Sequence, residues 1–291
     1  IMILYTNHHN LPVPLFNALI ASDYDAHDSF VSVTSLIDSP YIWKMRKHTG
    51  DPDSGIIIQE DASSRLWALL GSAIHNLVDK AGADYITESR ASATILGKKI
   101  SGKNDLFNPY EGVMSDYKVT TKYSIKGGKS KIEWERQLNV LAFLFRRLGL
   151  EVTRLEIIAI LRDFMFKDKF SYEFPDIPMK IVPIPMWSNT EQEHYVESRT
   201  ALFIKYDETP ITQLEPCSKE ERWASDITYA CIKKGATKAT KLFTDAIAAQ
   251  QYADEKGLMI ELREASDPRC TEYCSFVKIC PYARSKGYDK A

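Results

Sequence analysis

Two carboxylates and a lysine lie close together near the middle of the sequence. Asp105 belongs to the segment GKNDLFNPY, and Asp116 and Lys118 belong to the segment after it, EGVMSDYKVTT. In a strand, alternate side chains point to the same face, so Asp116 and Lys118 project together. The connection at residues 108–111 is short enough for the strand with Asp105 to return beside them. Two carboxylates on one hard divalent cation, next to a lysine, suit metal-assisted hydrolysis of a phosphodiester bond.

Three further side chains favour this chemistry over an ordinary surface hairpin with an Asp–Lys pair. His75 lies one helical turn after Gly71, and a glycine inside a helix costs about 1 kcal/mol relative to alanine. The small residue is therefore expected to let the helix approach a sheet or ligand closely. Glu88 offers another oxygen ligand or a carboxylate near DNA, and Gln137 can point back from a later helix. A half-buried histidine, a surface glutamate and an exposed glutamine are the alternative interpretations.

The elements that must position these residues follow from hydrophobic periodicity. Apolar residues at helical spacing predict a helix that ends at Gly82, and IEWERQLNVLAFLFRRLG predicts an amphipathic helix that ends at Gly149. EVTRLEIIAILRDFMF predicts a long buried strand, and MKIVPIPMW predicts an edge strand because its prolines cannot donate hydrogen bonds. A meander of antiparallel strands is predicted at residues 85–89, 93–97, 99–107 and 112–120. This order predicts an α/β fold with a mixed central sheet flanked by helices.

Length and composition favour an enzyme-sized globular protein. The chain has 291 residues, 44% of them hydrophobic, and its formal charge of −2 means that a nucleic-acid partner requires a local groove. We expect an N-terminal extension at residues 1–30 and a core at residues 31–210. Residues 211–291 should form a helical, cysteine-rich region packed on the core, with ATKATKLFTDAIAAQQYADEKG as one helix. No long apolar segment or signal-like N-terminus is evident, so we expect a cytoplasmic protein without a membrane partner.

Four motifs in a fixed order resemble those of the RecB-like branch of the PD-(D/E)XK nucleases. They are GSAIH at residues 71–75, GKND at residues 102–105, DYK at residues 116–118 and QLNVL at residues 137–141. The similarity is greatest to phage-encoded exonucleases and to the related CRISPR-associated exonucleases. It implies a restriction-endonuclease-like core and a metal-dependent exonuclease that degrades linear DNA from a free end in phage recombination or repair. It also implies the host-cell cytoplasm and a single-strand annealing or recombination protein as partner.

The resemblance implies roles for individual residues. The ligands of Mg²⁺ or Mn²⁺ would be His75, Asp105, Asp116 and the carbonyl of Tyr117. The candidate catalytic residues are Lys118, Asp116, Asp105 and Gln137. Glu88 is added to them because of its position on the strand before Asp105. Gln137 would position the lysine or the DNA. The family helix often reads Q-x-x-x-Y, and here Leu141 stands at the tyrosine position.

A lysine-rich segment directly after the DYK strand is the candidate contact to DNA phosphates. Its lysines are Lys122, Lys126, Lys129 and Lys131. Contacts of this kind depend on salt and not on base sequence. Tyr123 and Trp134 could stack bases of a single strand, although a tryptophan at helical spacing is more often core. The alternative functions are a structure-specific or single-strand endonuclease and a noncatalytic nucleic-acid-binding module.

Five cysteines in a reducing compartment are expected to be thiols or metal ligands. Cys270, Cys274 and Cys280 fall within one short segment, so a metal site needs a fourth ligand from elsewhere. Cys217 follows a proline before a helix and is the better candidate, whereas Cys231 has helix-forming neighbours and is expected in the core. This arrangement resembles the iron–sulfur-bearing RecB-like nucleases and implies a structural 4Fe-4S cluster, although the spacing C-x3-C-x5-C differs from their frequent C-x2-C-x5-C. Zinc is the main alternative.

Overall fold

The chain divides into two compact units. The computed structural model describes residues 3–21, 28–51, 54–82, 84–128 and 130–290. The units are Ile1–Leu214 and Glu215–Ala291. The division lies close to the boundary predicted between residues 210 and 211. Among the described residues, no helix is long and apolar enough to cross a membrane.

Both units contain strands and helices. The strands, in chain order, are β1 (Ile3–Thr6), β2 (Val31–Ser32), β3 (Ile58–Asp61), β4 (Ile86–Thr87), β5 (Arg90–Ile95), β6 (Lys98–Lys103), β7 (Leu106–Asn108), β8 (Val113–Thr120), β9 (Arg154–Leu161), β10 (Met179–Ile184), β11 (Thr228–Ile232), β12 (Ala239–Phe243) and β13 (Met259–Arg263). The helices are α1 (Val13–Ile20), α2 (Val33–Leu36), α3 (Pro40–Thr49), α4 (Leu66–Ala81), α5 (Ile132–Arg146), α6 (Asn189–Glu208), α7 (Ala246–Lys256) and α8 (Pro281–Ser285).

A five-stranded mixed sheet forms the centre of the first unit, in the order β10-β9-β8-β7-β4. Strands β8 and β9 are parallel, and the other neighbours in this sheet are antiparallel. A second sheet has the order β2-β6-β5. The predicted mixed α/β fold and mixed central sheet are therefore confirmed. The proline-bearing strand β10 lies at the sheet edge, as its missing hydrogen-bond donors predict.

Helix α5 joins the two sheets into one hydrophobic core. Its residues Leu138, Leu141 and Leu144 are fully buried, and the helix contacts β5 and β6 on one sheet and β8, β9 and β10 on the other. Alternate residues of β9, including Ile157 and Ala159, are buried in the same cluster. Leu141, which stands where the RecB-like pattern often has a tyrosine, is thus a core residue in this chain.

The strand predicted at residues 99–107 is divided between the two sheets. Asn104 interrupts it, so β6 belongs to the small sheet and β7 to the central one. The Asn104 side chain is fully buried, donates to the carbonyl of Ile86 at 2.9 Å and accepts from the amide of Ser89 at 3.2 Å. Periodicity could not reveal the break, because the hydrogen bonds that stabilise it come from residues distant in sequence. The predicted single meander is therefore wrong at this point.

The N-terminal segment contacts later residues of the first unit. Strand β1 pairs in parallel with β3, in the register Ile3 to Ile58. Farther along, Arg65 donates to the carbonyl of Leu19 in α1 at 3.0 Å. The boundary at residue 30 stays a prediction.

The second unit contains a sheet where mainly helices were predicted. Strands β12, β11 and β13 form an antiparallel sheet, and helix α7 packs on it. Residues 239–243 pair with β11, so only the later part of the predicted helix at residues 236–257 is helical. Cys231 is fully buried, which confirms its predicted place in the core, but it lies in a strand. Strand pairing here overrides local helix propensity.

We expect Gly102→Ala to destabilise the first unit. A Cβ at Gly102 would lie 2.5 Å from Val33 Cγ2 and 2.6 Å from Leu141 Cδ2, and both side chains are buried. Overpacking of this kind costs about 1–3 kcal/mol. The free energy of unfolding from urea titration is the measurement.

Gly71→Ala is the matched control, because a Cβ at Gly71 meets no atom within 4 Å. The expected close approach of α4 to a protein surface at this glycine is therefore wrong. Alanine should stabilise the helix by up to about 1 kcal/mol. Equal effects of the two substitutions would contradict the packing described for Gly102.

Candidate functional site

The site forms where β7 stops pairing with β8. The last pair is Leu106 with Ser115, so within the described residues β8 continues from Asp116 with β9 as its only strand partner. Asp105 directly precedes β7 and therefore faces this open edge of β8. Its Oδ2 accepts a hydrogen bond of 2.9 Å from the amide of Tyr117. The two aspartates predicted from the sequence are thus brought together.

Asp116 is a buried carboxylate that contacts Gln137 and Lys118. Its side chain is 2% exposed, and its Oδ1 accepts a hydrogen bond of 2.8 Å from Gln137 of α5. Its Oδ2 lies 2.6 Å from Lys118 Nζ and has no hydrogen-bonded partner among the described residues. A buried carboxylate oxygen is costly unless a cation compensates it, and here the Lys118 ammonium does so.

Opposing effects act on the protonation of this group. Burial raises the pKa of Asp116 to about 6, and the negative charge of Asp105 adds to the rise. The ammonium of Lys118 lowers the Asp116 pKa, although not enough to cancel the effect of burial. Burial lowers the pKa of Lys118, but attraction to Asp116 outweighs it and the net pKa is raised. Lys118 is therefore a charged ammonium at neutral pH.

His75, Glu88 and Asp105 form a second cluster at the same edge. Their ligand atoms all lie within 4.8 Å of one another, as expected for residues that could hold one metal ion. His75 Nδ1 is 3.2 Å from Glu88 Oε1 and 3.4 Å from Asp105 Oδ1. The hydrogen bond to Asp105 is the main cause that raises the pKa of His75 to about 9, against the effect of burial.

Glu88 is held in an unfavourable backbone conformation. Its φ is +47°, in the left-handed region, where a residue with a Cβ costs roughly 1–2 kcal/mol. The side chain contacts both His75 and the ammonium of Lys103. Strain that persists beside charged groups is often linked to function. The candidate catalytic residue Glu88 accordingly lies in the same cluster as the predicted metal ligands.

Asp105 connects the two clusters. It contacts His75 with one oxygen and the Tyr117 amide with the other. In a strand the N–H and C=O of one residue point in the same direction, so the Tyr117 carbonyl also faces the side of Asp105. The donors are carboxylates, a carbonyl and one imidazole, which suits Mg²⁺ or Mn²⁺ better than a soft metal. All the predicted metal-site residues thus lie at one edge of the central sheet.

Asn104 is a functional candidate that the sequence analysis missed. It places Asp105 at the open edge of β8 because its own side chain is fixed by Ile86 and Ser89. Glu88 is placed by the same turn, since its amide donates to the Asp105 carbonyl at 3.4 Å. In the sequence, the signal for this role was that Asn104 is a polar residue inside the strand predicted at residues 99–107.

Lys122 was predicted to contact DNA, and the structure contradicts this. Its ammonium is buried and lies 2.6 Å from Asp168. A buried, paired ammonium is not accessible to a phosphate. Trp134 is also buried, so it belongs to the core and is not a stacking surface.

The other predicted DNA contacts differ in their surroundings. Lys126 lies 3.0 Å from the exposed carboxylate of Glu173, and Tyr123 is exposed. Lys131 lies over the ring of Trp134, 5.6 Å from its centroid. Lys129 lies outside the described residues.

The predicted cluster cysteines all belong to the second unit. Burial raises the pKa of the Cys270 thiol to about 11, and the nearby thiols of Cys274 and Cys280 add to the rise. Among the described residues, no three cysteine sulfurs lie within 4.8 Å of one another. Arg222 donates to the carbonyl of Cys217 and is paired with Asp267 at 3.0 Å, just before Cys270. The Arg222–Asp267 pair therefore connects the segment that contains Cys217 to the segment that begins at Cys270.

Comparisons with known proteins show the fold alone. No family model and no curated protein sequence matches the chain. A solved structure of a protein named SSO0001 is similar over 92% of this chain and 94% of its own, with 16% identity and a TM-score of 0.50. A phage-related exonuclease from Haemophilus somnus 129PT is similar over 60% of this chain and 92% of its own, with 15% identity and a TM-score of 0.39. The chain thus shares its overall fold with SSO0001.

The raised pKa of His75 predicts a pH dependence of stability in metal-free protein. The folded state binds the His75 proton more tightly than the unfolded state, so the contribution is fully present below pH 6.5 and is lost as pH rises through about 9. The stability that the raised pKa of Asp116 contributes is lost between pH 3.8 and about 6, which is below this window. Urea unfolding in EDTA from neutral to alkaline pH should show falling stability in this window. His75→Gln should flatten that slope, and an unchanged slope in this variant would contradict the assignment.

Proposed function

We propose that the chain is a metal-dependent deoxyribonuclease that degrades DNA from an end. The observation that carries the proposal is the convergence of four acidic or imidazole side chains and one lysine at the open edge of β8. These residues are His75, Glu88, Asp105, Asp116 and Lys118. The buried carboxylate of Asp116, paired with Lys118, adds a further negative charge to this group.

The residues present fit a hard divalent cation. His75, Glu88 and Asp105 bring their ligand atoms within 4.8 Å of one another and would hold it, and Asp116 and the Tyr117 carbonyl would join them from β8. When bound, Mg²⁺ or Mn²⁺ would supply Lewis-acid polarisation of the phosphodiester and a lowered pKa for a water molecule.

The chain's own residues supply orientation and charge. Gln137 fixes the rotation of the Asp116 carboxylate through its 2.8 Å hydrogen bond. Lys118, fixed beside that carboxylate, presents a positive charge where negative charge grows on phosphate oxygens during hydrolysis. Asp105 and Glu88 keep His75 oriented through its Nδ1.

The substrate we propose is linear DNA with a free end. Lys126 and Lys131 would contact its phosphates through salt-dependent, sequence-independent interactions. The host-cell cytoplasm, a role in phage recombination or repair and a single-strand annealing partner are parts of the same proposal. Circular DNA is the diagnostic substrate, because an endonuclease would cleave it and an exonuclease would not.

Asp116→Asn and Lys118→Ala should each lower the cleavage rate by at least about 100-fold. Each removes a charge that the transition state requires, and removal of one such group typically has effects of this size. The measurement is release of nucleotides from labelled linear DNA in Mg²⁺ or Mn²⁺.

Glu111→Gln is the matched control for these substitutions. Glu111 is an exposed carboxylate in the turn before β8, at the other end of that strand, and its loss should leave the rate unchanged. Retained activity in folded, metal-saturated Asp116→Asn protein would refute the proposed site.

We also propose a 4Fe-4S cluster bound by Cys217, Cys270, Cys274 and Cys280. The proximity of the trio and the Arg222–Asp267 pair that leads to Cys217 support it. A tetrahedral zinc site with Zn–S bonds of about 2.3 Å holds its sulfurs about 3.8 Å apart. A cluster binds each thiolate at a different iron atom and spaces them more widely, so the metal content of the purified protein distinguishes the two.

Protein purified without oxygen should be brown and contain iron and sulfide. Cys274→Ser should remove the colour and the iron, because it removes one ligand. Cys231→Ser is the control, since this thiol is in the core beside the Ala249 carbonyl and should retain the full iron content. Colourless protein with one zinc per chain would refute the cluster, and full iron in Cys217→Ala would show that another residue is the fourth ligand.

A further inference from the structure

An exposed aromatic surface lies in the connection between β9 and β10. We name residues 164–174 of this connection the aromatic loop. Phe166 is 77% exposed, Phe170 is 72% exposed, and Tyr172 is fully exposed. The rings of Phe166 and Phe170 form an edge-to-face pair with centroids 5.7 Å apart. Large aromatic rings in water are unfavourable, and a group of them marks a binding surface.

The aromatic loop is fixed by a buried ion pair. Lys122 lies 2.6 Å from Asp168, and both side chains are almost completely buried. The same carboxylate accepts a hydrogen bond of 2.7 Å from the amide of Met165. At the other end of the loop, Phe174 packs edge-to-face on Tyr123 with centroids 5.5 Å apart. The buried lysine that does not contact DNA therefore organises the surface that carries the exposed rings.

The free charge on the aromatic loop is positive. Lys167 and Lys169 are exposed and lie between the rings in sequence. The acidic residues of the loop are already paired, Asp168 in the buried pair and Glu173 with Lys126 at 3.0 Å. A surface that carries three exposed rings and two free ammonium groups is complementary to unpaired bases joined by phosphates.

The aromatic loop begins next to the strand that carries Lys118. The amide of Arg162 donates to the carbonyl of Thr120 at 3.0 Å, and Thr120 is two residues, or about 7 Å, beyond Lys118. The Arg162 guanidinium also stacks over Trp67, 3.8 Å from the ring centroid. Trp67 lies on α4, two turns before His75. Arg162, two residues before the loop, thus contacts β8 and α4, two elements of the candidate metal site.

We infer that the aromatic loop is a platform for single-stranded DNA beside the hydrolytic site. Bases stack on Phe166, Phe170 and Tyr172, and Lys167 and Lys169 contact the phosphates between them. The inference rests on the proposed function and specifies the substrate at the site as a single strand, either free or as the unpaired end of a duplex. An apolar surface for a protein partner would not require two free ammonium groups between Phe166 and Phe170, so the charge favours nucleic acid.

Binding of a labelled oligothymidylate by the full chain tests this directly. The assay is fluorescence anisotropy in EDTA, which prevents metal-dependent cleavage. Replacing Phe166, Phe170 and Tyr172 together by alanine should weaken binding at least about tenfold, because each stacked base contributes about fivefold or more. Binding of a blunt duplex should change less than about twofold. The substituted side chains are exposed, so the melting temperature should stay the same.

Tyr110→Ala is the matched control for the aromatic rings. Tyr110 is 86% exposed, but it lies in the turn before β8, at the opposite end of that strand from Lys118. Its removal should leave oligothymidylate affinity unchanged. The double substitution Lys167→Gln with Lys169→Gln should reduce the slope of log affinity against log salt concentration by about 1.4. This is about 0.7 for each of two lost phosphate contacts on a single strand. Lys167→Arg with Lys169→Arg should retain the slope.

The outcomes separate this inference from the proposed function. Unchanged oligothymidylate affinity in the triple alanine variant overturns the platform, even if the wild-type chain cleaves DNA in Mg²⁺. It would leave the exposed rings as a surface for a protein. Specific loss of single-strand binding supports the platform even if the wild-type chain shows no cleavage, in which case the hydrolytic function fails alone. An equal loss of duplex binding would also overturn the single-strand assignment.

Discussion

The buried carboxylate of Asp116 is the constraint on which the site depends. Removing a charged group from water is unfavourable by several kcal/mol unless other charges and hydrogen bonds compensate. Lys118 and Gln137 supply that compensation, the ammonium at one oxygen and the amide at the other. The charged state of Asp116 therefore depends on these two neighbours.

The position of Asp105 depends on a change of sheet. Asn104 ends the small sheet and starts the central one, and its buried amide replaces backbone hydrogen bonds that a continuous strand would make. The short strand β7 then leaves the far half of β8 open. A longer β7 would cover the Tyr117 amide and exclude Asp105 from it. The open edge is thus produced by backbone pairing, and the acidic side chains occupy the space that it creates.

The sequence predicts the site better than it predicts the connections. Alternation placed Asp116 and Lys118 on one face, and helical spacing placed His75 and Gln137 on helices that reach the strands. It could not predict the break at Asn104, because that break depends on partners distant in sequence. It also could not predict that Lys122 is buried, since its counterion, Asp168, lies 46 residues later. Local patterns describe which residues can do chemistry, whereas tertiary pairing decides which charges stay free.

Parallel pairing of β8 with β9 has a consequence for the order of folding. Parallel neighbours need a crossover, and here the crossover contains α5, the helix that also bears Gln137. The chain must therefore close a loop of some thirty residues before β9 can cover the side of β8 and before Asp116 can lose contact with water. Contacts so distant in sequence form slowly. During synthesis, the nascent chain consequently buries Asp116 beside β9 only after β9 has left the ribosome, whereas the contacts among His75, Glu88 and Asp105 use residues that precede β9.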